Sequence, residues 1–320
     1  MGTLALIFPG QGSQYVGMGR MVADHSPAAA AAFAAVDAAL GLPISELAWQ
    51  GDASDLDRTV NAQPALLATS IAYLRALEEA LAAGGTRLQA SFCAGHSMGQ
   101  YSAMVAAGVL ALSDAARLVR ERGRLMQASG AGREGAMAAV IGLPDERLPE
   151  LEAAGRAAGS FTIANRNSPG QIVVSGERTA VERAAAAAKE LGARRAVLLP
   201  VSVAAHSPLM AEAAEGMRAA LADVAFHDPV APLIANADGR PLTTGDACRT
   251  ELVDHLTSGV DWVSGVRSMA AAGVDTFLEV GPGRVLTGLV KRIVPELRAL
   301  ATDDPDAPGQ LAVPALAVLT

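Results

Sequence analysis

The chain has 320 residues, which at about 150 residues per domain suggests two folding units. Hydrophobic residues are 51% and charged residues 18%, enough apolar material for a core, which excludes wholesale disorder. Aromatics are only 3% and the formal net charge is −8, from 25 Lys plus Arg against 33 Asp plus Glu, which argues against single-strand stacking platforms and against non-specific polyanion binding.

Leu4–Phe8 is an apolar run with no basic residue before it, which predicts a buried strand rather than a signal peptide. It leads into the loop Pro9-Gly10-Gln11-Gly12-Ser13-Gln14. Helical patterns follow over Pro27–Leu40 and Gln63–Ala83, then a short strand over Ala90–Ala94, the turn Gly95–Gly99 and a helix over Gln100–Ala107. Asp114–Ala128 reads as an amphipathic helix carrying Arg117, Arg120, Arg122 and Arg124. Strands alternating with helices predict a parallel sheet covered on both faces.

Between about 131 and 200 the pattern changes. A strand over Ala136–Gly142, a helix over Asp145–Ala158, strands over Ser160–Ala164 and Gln171–Ser175, a helix over Glu177–Leu191 and a strand over Arg195–Leu199 give β-α-β-β-α-β. That is the ferredoxin-like order. The α/β alternation then resumes, with helices near Pro208–Ala222 and over Arg249–Ala272 and strands at Leu233–Asn236 and Thr276–Val280. The turn Gly281-Pro282-Gly283 and a helix through Arg292 complete it. We therefore expect an α/β fold in two domains: a discontinuous large domain, residues 1–130 and 201–320, and an inserted ferredoxin-like (α+β) domain, residues 131–200. No stretch reaches the ~18 uninterrupted apolar residues that a membrane span needs. Two cysteines, Cys93 and Cys248, are too few for a disulfide framework or a zinc cluster and fit a reducing cytosol. A soluble, cytoplasmic protein without a metal is expected.

Gly95-His96-Ser97-Met98-Gly99 between a strand and a helix has the form of a nucleophile elbow, in which a tight turn pushes the serine into the open. The helix that follows aims its N-terminal N–H groups toward an oxyanion on an acyl group carried by Ser97. A serine needs a base, and the chain has five histidines. His25 and His227 fall in polar or turn segments, His96 lies inside the elbow with its ring directed away from the serine or under the turn, and His255 lies in a helical pattern. His206 follows a strand-like run in a loop, where catalytic residues of α/β folds gather, and is the expected base. In the helix before residue 130, Leu118, Leu125 and Met126 define the buried face. Arg122 tends toward that face, while Arg120 and Arg124 point toward solvent. An inward arginine needs an anion: either a substrate carboxylate or the acidic partner of a structural salt bridge.

Several segments together resemble one family: Phe8-Pro9-Gly10-Gln11-Gly12-Ser13-Gln14, Gln63-Pro64-Ala65, Gly95-His96-Ser97-Met98-Gly99-Gln100-Tyr101-Ser102-Ala103, Arg122-Gly123-Arg124-Leu125-Met126-Gln127, Asn167-Ser168-Pro169-Gly170-Gln171, Val203-Ala204-Ala205-His206 and Glu279-Val280-Gly281-Pro282-Gly283. In this order they resemble the malonyl-CoA:acyl carrier protein transacylases of fatty-acid synthesis and the acyltransferases of polyketide synthases. The resemblance covers about residues 3–293. It implies an α/β-hydrolase-like large domain with a ferredoxin-like insert. By the same resemblance Ser97 is the acylated nucleophile, His206 the general base, and the backbone N–H groups of Gln11 and Met98 the oxyanion hole. Arg122 becomes the clamp for the free carboxylate of a malonyl-type acyl group, and Gln63 and Asn167 line or support the pocket. The family orients its histidine with a main-chain carbonyl, close to a position where the fatty-acid enzymes carry Gln and this chain has His255.

The implied reaction is ping-pong transfer from an acyl-CoA to the phosphopantetheine thiol of an acyl carrier protein, with no cofactor. Carrier proteins are usually acidic, so a local basic patch is expected among Arg133, Arg166, Arg194, Arg195, Arg284, Lys291 and Arg292. The rival readings are an acyl hydrolase, a carrier-to-carrier transferase of an elaborated acyl chain, and an inactive docking module, which would be expected to lose Ser97 or His206. In related acyltransferases the residues ending at the catalytic histidine correlate with the acyl branch: phenylalanine before it accompanies malonyl, and serine preceded by tyrosine and alanine accompanies methylmalonyl. Here Ala205, smaller than either, leaves room for a branch.

Overall fold

The computed structural model describes residues 3–129, 134–201 and 203–303. Leu4–Phe8 (β1) is followed by the helices Arg20–His25 (α1), Pro27–Leu40 (α2), Ile44–Gln50 (α3), Ala53–Asp57 (α4) and Thr59–Ala83 (α5), then by Phe92–Gly95 (β2), Gly99–Ala106 (α6) and Leu112–Ser129 (α7). The middle segment runs Gly135–Ile141 (β3), Leu148–Arg156 (α8), Phe161–Ser168 (β4), Gln171–Glu177 (β5), Arg178–Glu190 (α9) and Arg195–Leu198 (β6). It continues with Ala211–Leu221 (α10), Leu233–Ile234 (β7), Pro241–Leu242 (β8), Gly245–Ser258 (α11) and Val260–Asp261 (β9). Trp262–Ala271 (α12), Thr276–Glu279 (β10), Val285–Ile293 (α13) and Arg298–Ala301 (β11) come last.

The fold is mixed α/β, with two sheets. One has six strands in the order β11-β10-β1-β2-β7-β8, all parallel except the edge strand β8. β1 is buried along its whole length, as a continuous apolar run is when both faces of a sheet are covered. Its side chains alternate between two cores: Leu4, Leu6 and Phe8 join the larger, Ala5 and Ile7 the other. The second sheet has the order β6-β3-β5-β4-β9. Its β6–β3, β3–β5 and β5–β4 pairings are antiparallel, and a third core lies beneath it.

Two expectations are corrected. The single helix over Arg249–Ala272 is two. Gly259 takes φ 86, which ends α11, and Val260–Asp261 then pair in parallel with Asn165–Arg166 of β4. The Asp261 side chain accepts the Ser264 N–H at 3.0 Å and starts α12. The small sheet is thus completed by a strand from outside residues 131–200. Arg120 does not simply face solvent. Pro64, inside α5, has no N–H to give the carbonyl of Val60, and Arg120 Nη1 donates to that oxygen at 2.8 Å and to Asn61 Oδ1 at 2.6 Å. Arg124 does lie at the surface, paired with Glu121.

β1 and β2 are neighbours, with Phe8 opposite Gly95. Their carboxyl ends therefore deliver the loop after Phe8 and the turn after Gly95 to one edge of the sheet, where ligands of open α/β sheets bind.

Candidate active site

The turn between β2 and α6 is too tight for side chains at its ends. A Cβ on Gly95 would stand 2.0 Å from the Gly99 carbonyl carbon. Ser97, between them, takes φ 54, a left-handed backbone that a side-chain-bearing residue adopts only when its surroundings enforce it. The enforcement is visible. Gln100 Oε1 accepts the Gly95 N–H at 2.9 Å while its Nε2 donates to the Ile234 carbonyl at 2.9 Å. Asn236, just past β7, accepts the Ser97 N–H at 2.9 Å and donates to the Gly95 carbonyl at 3.1 Å.

His206, also in a left-handed backbone at φ 58, brings Nε2 to 2.8 Å from Ser97 Oγ. Its Nδ1 lies 2.6 Å from the main-chain carbonyl of His255 in α11. A carbonyl only accepts, so Nδ1 carries the proton and Nε2 offers its lone pair to the serine hydroxyl. Burial, and next the Arg122 guanidinium, push the His206 imidazole down to about 3, with the His255 carbonyl pulling the other way. The ring is neutral at physiological pH, the form that takes a proton.

Arg122 is 1% exposed. Its Nη1 donates to Gln63 Oε1 at 2.9 Å, and its Nη2 to Ser97 Oγ at 3.1 Å, with His255 Nε2 at 3.4 Å. Among the described residues it makes no ion pair. The structural salt bridge left open by the sequence is not formed, and a buried cation faces the serine without an anion.

The loop after β1 lies directly on the turn: a Cβ on Gly10 would meet the His96 carbonyl oxygen at 2.5 Å. Gln11 and Met98 consequently line the same cleft as Ser97, His206 and Ala205. Its volume is about 670 Å³, and the small sheet closes it with Asn165, Asn167 and Val173. His96 turns away from the serine, tilting against Trp262 with ring centroids 5.6 Å apart and Nε2 2.9 Å from Asn167 Oδ1. Gln63 is fully buried behind Arg122, so it supports the cleft rather than lining it. His255 is likewise fully buried and contributes both its carbonyl and its ring.

Sequence reasoning missed Gln100, Asn236 and Glu251. The first two brace the elbow, and Glu251 Oε1 accepts the Asn236 N–H at 2.5 Å. The available signal was weak: an amide one residue after the elbow, another at the end of a predicted strand, and an acid at a position of α11 that proves 2% exposed.

A serine hydroxyl on a tight turn, a neutral imidazole in contact with it and a buried guanidinium converge on one cleft of about 670 Å³. Residues 5–307 match the model of the acyl transferase domain. The chain belongs to the acyl transferase domain family. This acyl transferase domain is 45% identical over 307 residues to the malonyl CoA-acyl carrier protein transacylase of Escherichia coli (strain K12), covering 96% of this chain and 98% of that protein. Among solved structures it resembles the acyl-carrier-protein-S-malonyltransferase from Bartonella henselae, with a TM-score of 0.92, 43% identity and 99% of each chain covered. It also resembles the malonyl-transacylase in complex with its type II PKS acyl-carrier protein, with a TM-score of 0.85, 40% identity, and 93% and 94% of the two chains covered.

Proposed function

We propose that this acyl transferase domain is a malonyl-CoA:acyl carrier protein S-acyltransferase serving fatty-acid or polyketide synthesis, with Ser97 and His206 as its catalytic dyad. The observation that carries the reading is Arg122, a buried guanidinium 3.1 Å from Ser97 Oγ with no acidic partner among the described residues. An acyl group bearing a second carboxylate supplies that partner.

Ser97 Oγ attacks the thioester carbonyl and its proton passes to His206 Nε2. The oxyanion faces the backbone N–H groups of Gln11 and Met98. The C–S bond breaks, His206 returns the proton to the departing CoA sulfur, and an acyl-Ser97 ester remains. The carrier protein's phosphopantetheine thiol then gives its proton to His206 and attacks that ester, and Ser97 leaves with the proton. No step calls for a metal or redox cofactor.

The same reading assigns an α/β-hydrolase-like large domain, residues 1–130 and 201–320, and a ferredoxin-like insert, residues 131–200. The antiparallel β6-β3-β5-β4 order of the insert supports this. Of the expected basic docking patch, Arg133 lies outside the described residues. Arg166 is already paired with Asp145 and Asp261. Arg194, Arg195, Arg284, Lys291 and Arg292 are the other candidates for an acidic carrier, with Arg292 also donating to Gln171 Oε1. We assign the enzyme to the cytoplasm because Cys93 and Cys248 are buried free thiols. No helix of the described residues is long and apolar enough to cross a membrane.

Intact-mass measurement after mixing with a panel of acyl-CoAs tests the function, with Arg122→Ala as the deciding variant. Removing one partner of a buried guanidinium–carboxylate pair costs about 3–5 kcal/mol, so malonyl loading should fall by about two to four orders of magnitude. Acetyl loading should fall far less. Equal loss of both would make Arg122 structural and end the dicarboxylate assignment, whereas a gain of acyl hydrolysis would mark kinship with editing enzymes.

Ala205 lines the cleft beside His206, and the resemblance makes it the gate for a branched acyl group. In competition between equal malonyl-CoA and methylmalonyl-CoA, the wild type should load malonyl with measurable methylmalonyl. Ala205→Phe should suppress the branched product roughly tenfold while sparing malonyl, since a methylene-sized misfit is worth about 1–3 kcal/mol. An unchanged product ratio in Ala205→Phe would show that position 205 does not set pocket size.

A further inference from the structure

We propose that Glu251 and His255 form a buried relay that holds Arg122 in its clamping position and thereby sets the preference for acyl groups that carry a carboxylate. The inference rests on the reading of Arg122 as the clamp.

Hydrogen-bond inventory fixes the state of His255. Arg122 has donors only, so its Nη2, 3.4 Å away, requires a lone pair on His255 Nε2. The ring is completely buried, and burial, then Arg122, hold it well below the usual imidazole range, so it is neutral. A neutral imidazole with a lone pair on Nε2 carries its proton on Nδ1. That N–H has no hydrogen-bond partner among the described residues. Glu251 Oε1 lies 4.0 Å from it, one helical turn earlier on the same face of α11, and Glu251 is itself 2% exposed.

Among the described residues neither Arg122 nor Glu251, whose carboxyl burial pushes up to about 7, has a direct counter-ion. Arg122 touches no carboxylate, and the one group at ion-pair distance from Glu251 is the neutral His255 ring. The imidazole stands between them, its acceptor toward the guanidinium and its donor toward the carboxyl. In this arrangement the carboxyl polarises the ring and the ring fixes the direction of Nη2, which also contacts Ser97 Oγ. The carbonyl of the same residue holds His206. Side-chain substitution at 255 therefore perturbs the clamp while leaving the dyad's main-chain acceptor in place. Glu251 reaches the elbow as well, through the Asn236 N–H, so a variant at 251 must keep an acceptor oxygen there.

The test is acyl loading, read as kcat/KM by intact mass, from malonyl-CoA and from acetyl-CoA, on full-length wild type, Glu251→Gln, His255→Ala and His255→Gln. Glu251→Gln keeps an oxygen for Asn236 but loses the ionisable carboxyl. It should lower the malonyl-to-acetyl ratio about fivefold, mostly through a raised malonyl KM, and His255→Ala should lower it about tenfold or more, the value of a hydrogen bond to a charged group. His255→Gln should recover most of the ratio, because an amide oxygen accepts from Arg122. The relay is overturned if the ratio stays constant in Glu251→Gln and His255→Ala, including the case where both substrates decline together, or if His255→Gln is no better than His255→Ala. Should His255→Ala not fold, Glu251→Gln and His255→Gln decide the matter. Selective loss in Arg122→Ala with an unmoved ratio in Glu251→Gln sinks the relay alone. A wild type that loads no malonyl sinks the function and the relay with it.

Discussion

Ser97→Ala will form no acyl-enzyme from any acyl-CoA, while folding as the wild type does. Alanine tolerates the backbone position as well as serine does, and the braces that hold the turn end on main-chain atoms of residues 95 and 97. What disappears is the single hydroxyl at 2.8 Å from the base and 3.1 Å from the guanidinium. Among the described residues the other hydroxyl lining the cleft, Thr59, is engaged by the Gln11 amide at 3.2 Å. Covalent mass observed on Ser97→Ala would remove Ser97 from the nucleophile's role.

His206→Ala should slow acyl loading by about 10²–10⁴, the range that general base catalysis supplies. The pH dependence follows from the direction of its shift. The imidazole is pushed down to about 3, so protonation begins to compete only near that value. Loading of acetyl-CoA, which leaves the Arg122 charge in place, should stay flat from roughly pH 8 to 5 while the fold persists. A decline centred near the ordinary imidazole value of about 6.5 would show that His206 titrates as an exposed ring does. Near-normal loading in His206→Ala would move the base elsewhere, with His255 the first residue to try.

Local periodicity was sufficient for many elements. Pro27–Leu40 has the expected bounds because Ser26 caps it and Pro27 begins it, both signals within the helix's own sequence. The strand–turn–helix around Ser97 was equally plain, since Gly95 and Gly99 leave a tight turn little alternative. The choice of His206 among five histidines needed only elimination and a loop position, and the structure brings it to Ser97 across 109 residues of chain.

Other features depended on partners far away in sequence. A predicted helix over Arg249–Ala272 divides because Val260–Asp261 find β4, and β11 exists as a strand because Thr276–Glu279 offers it an edge. Neither pairing has a local period to announce it. Whether Arg122 meets an acid was equally undecided. Helical spacing turns the side chain inward, but only the assembled interior shows that no carboxylate of the described residues pairs with it and that Gln63, Ser97 and His255 surround it instead. Which residue types can perform acyl transfer and which local turns present them are legible along the chain, because both depend on sequence neighbours. Their distances, the tautomers of both histidines and the approach of Glu251 were decided by tertiary structure alone, because they arise where separate segments exclude water from a shared interior.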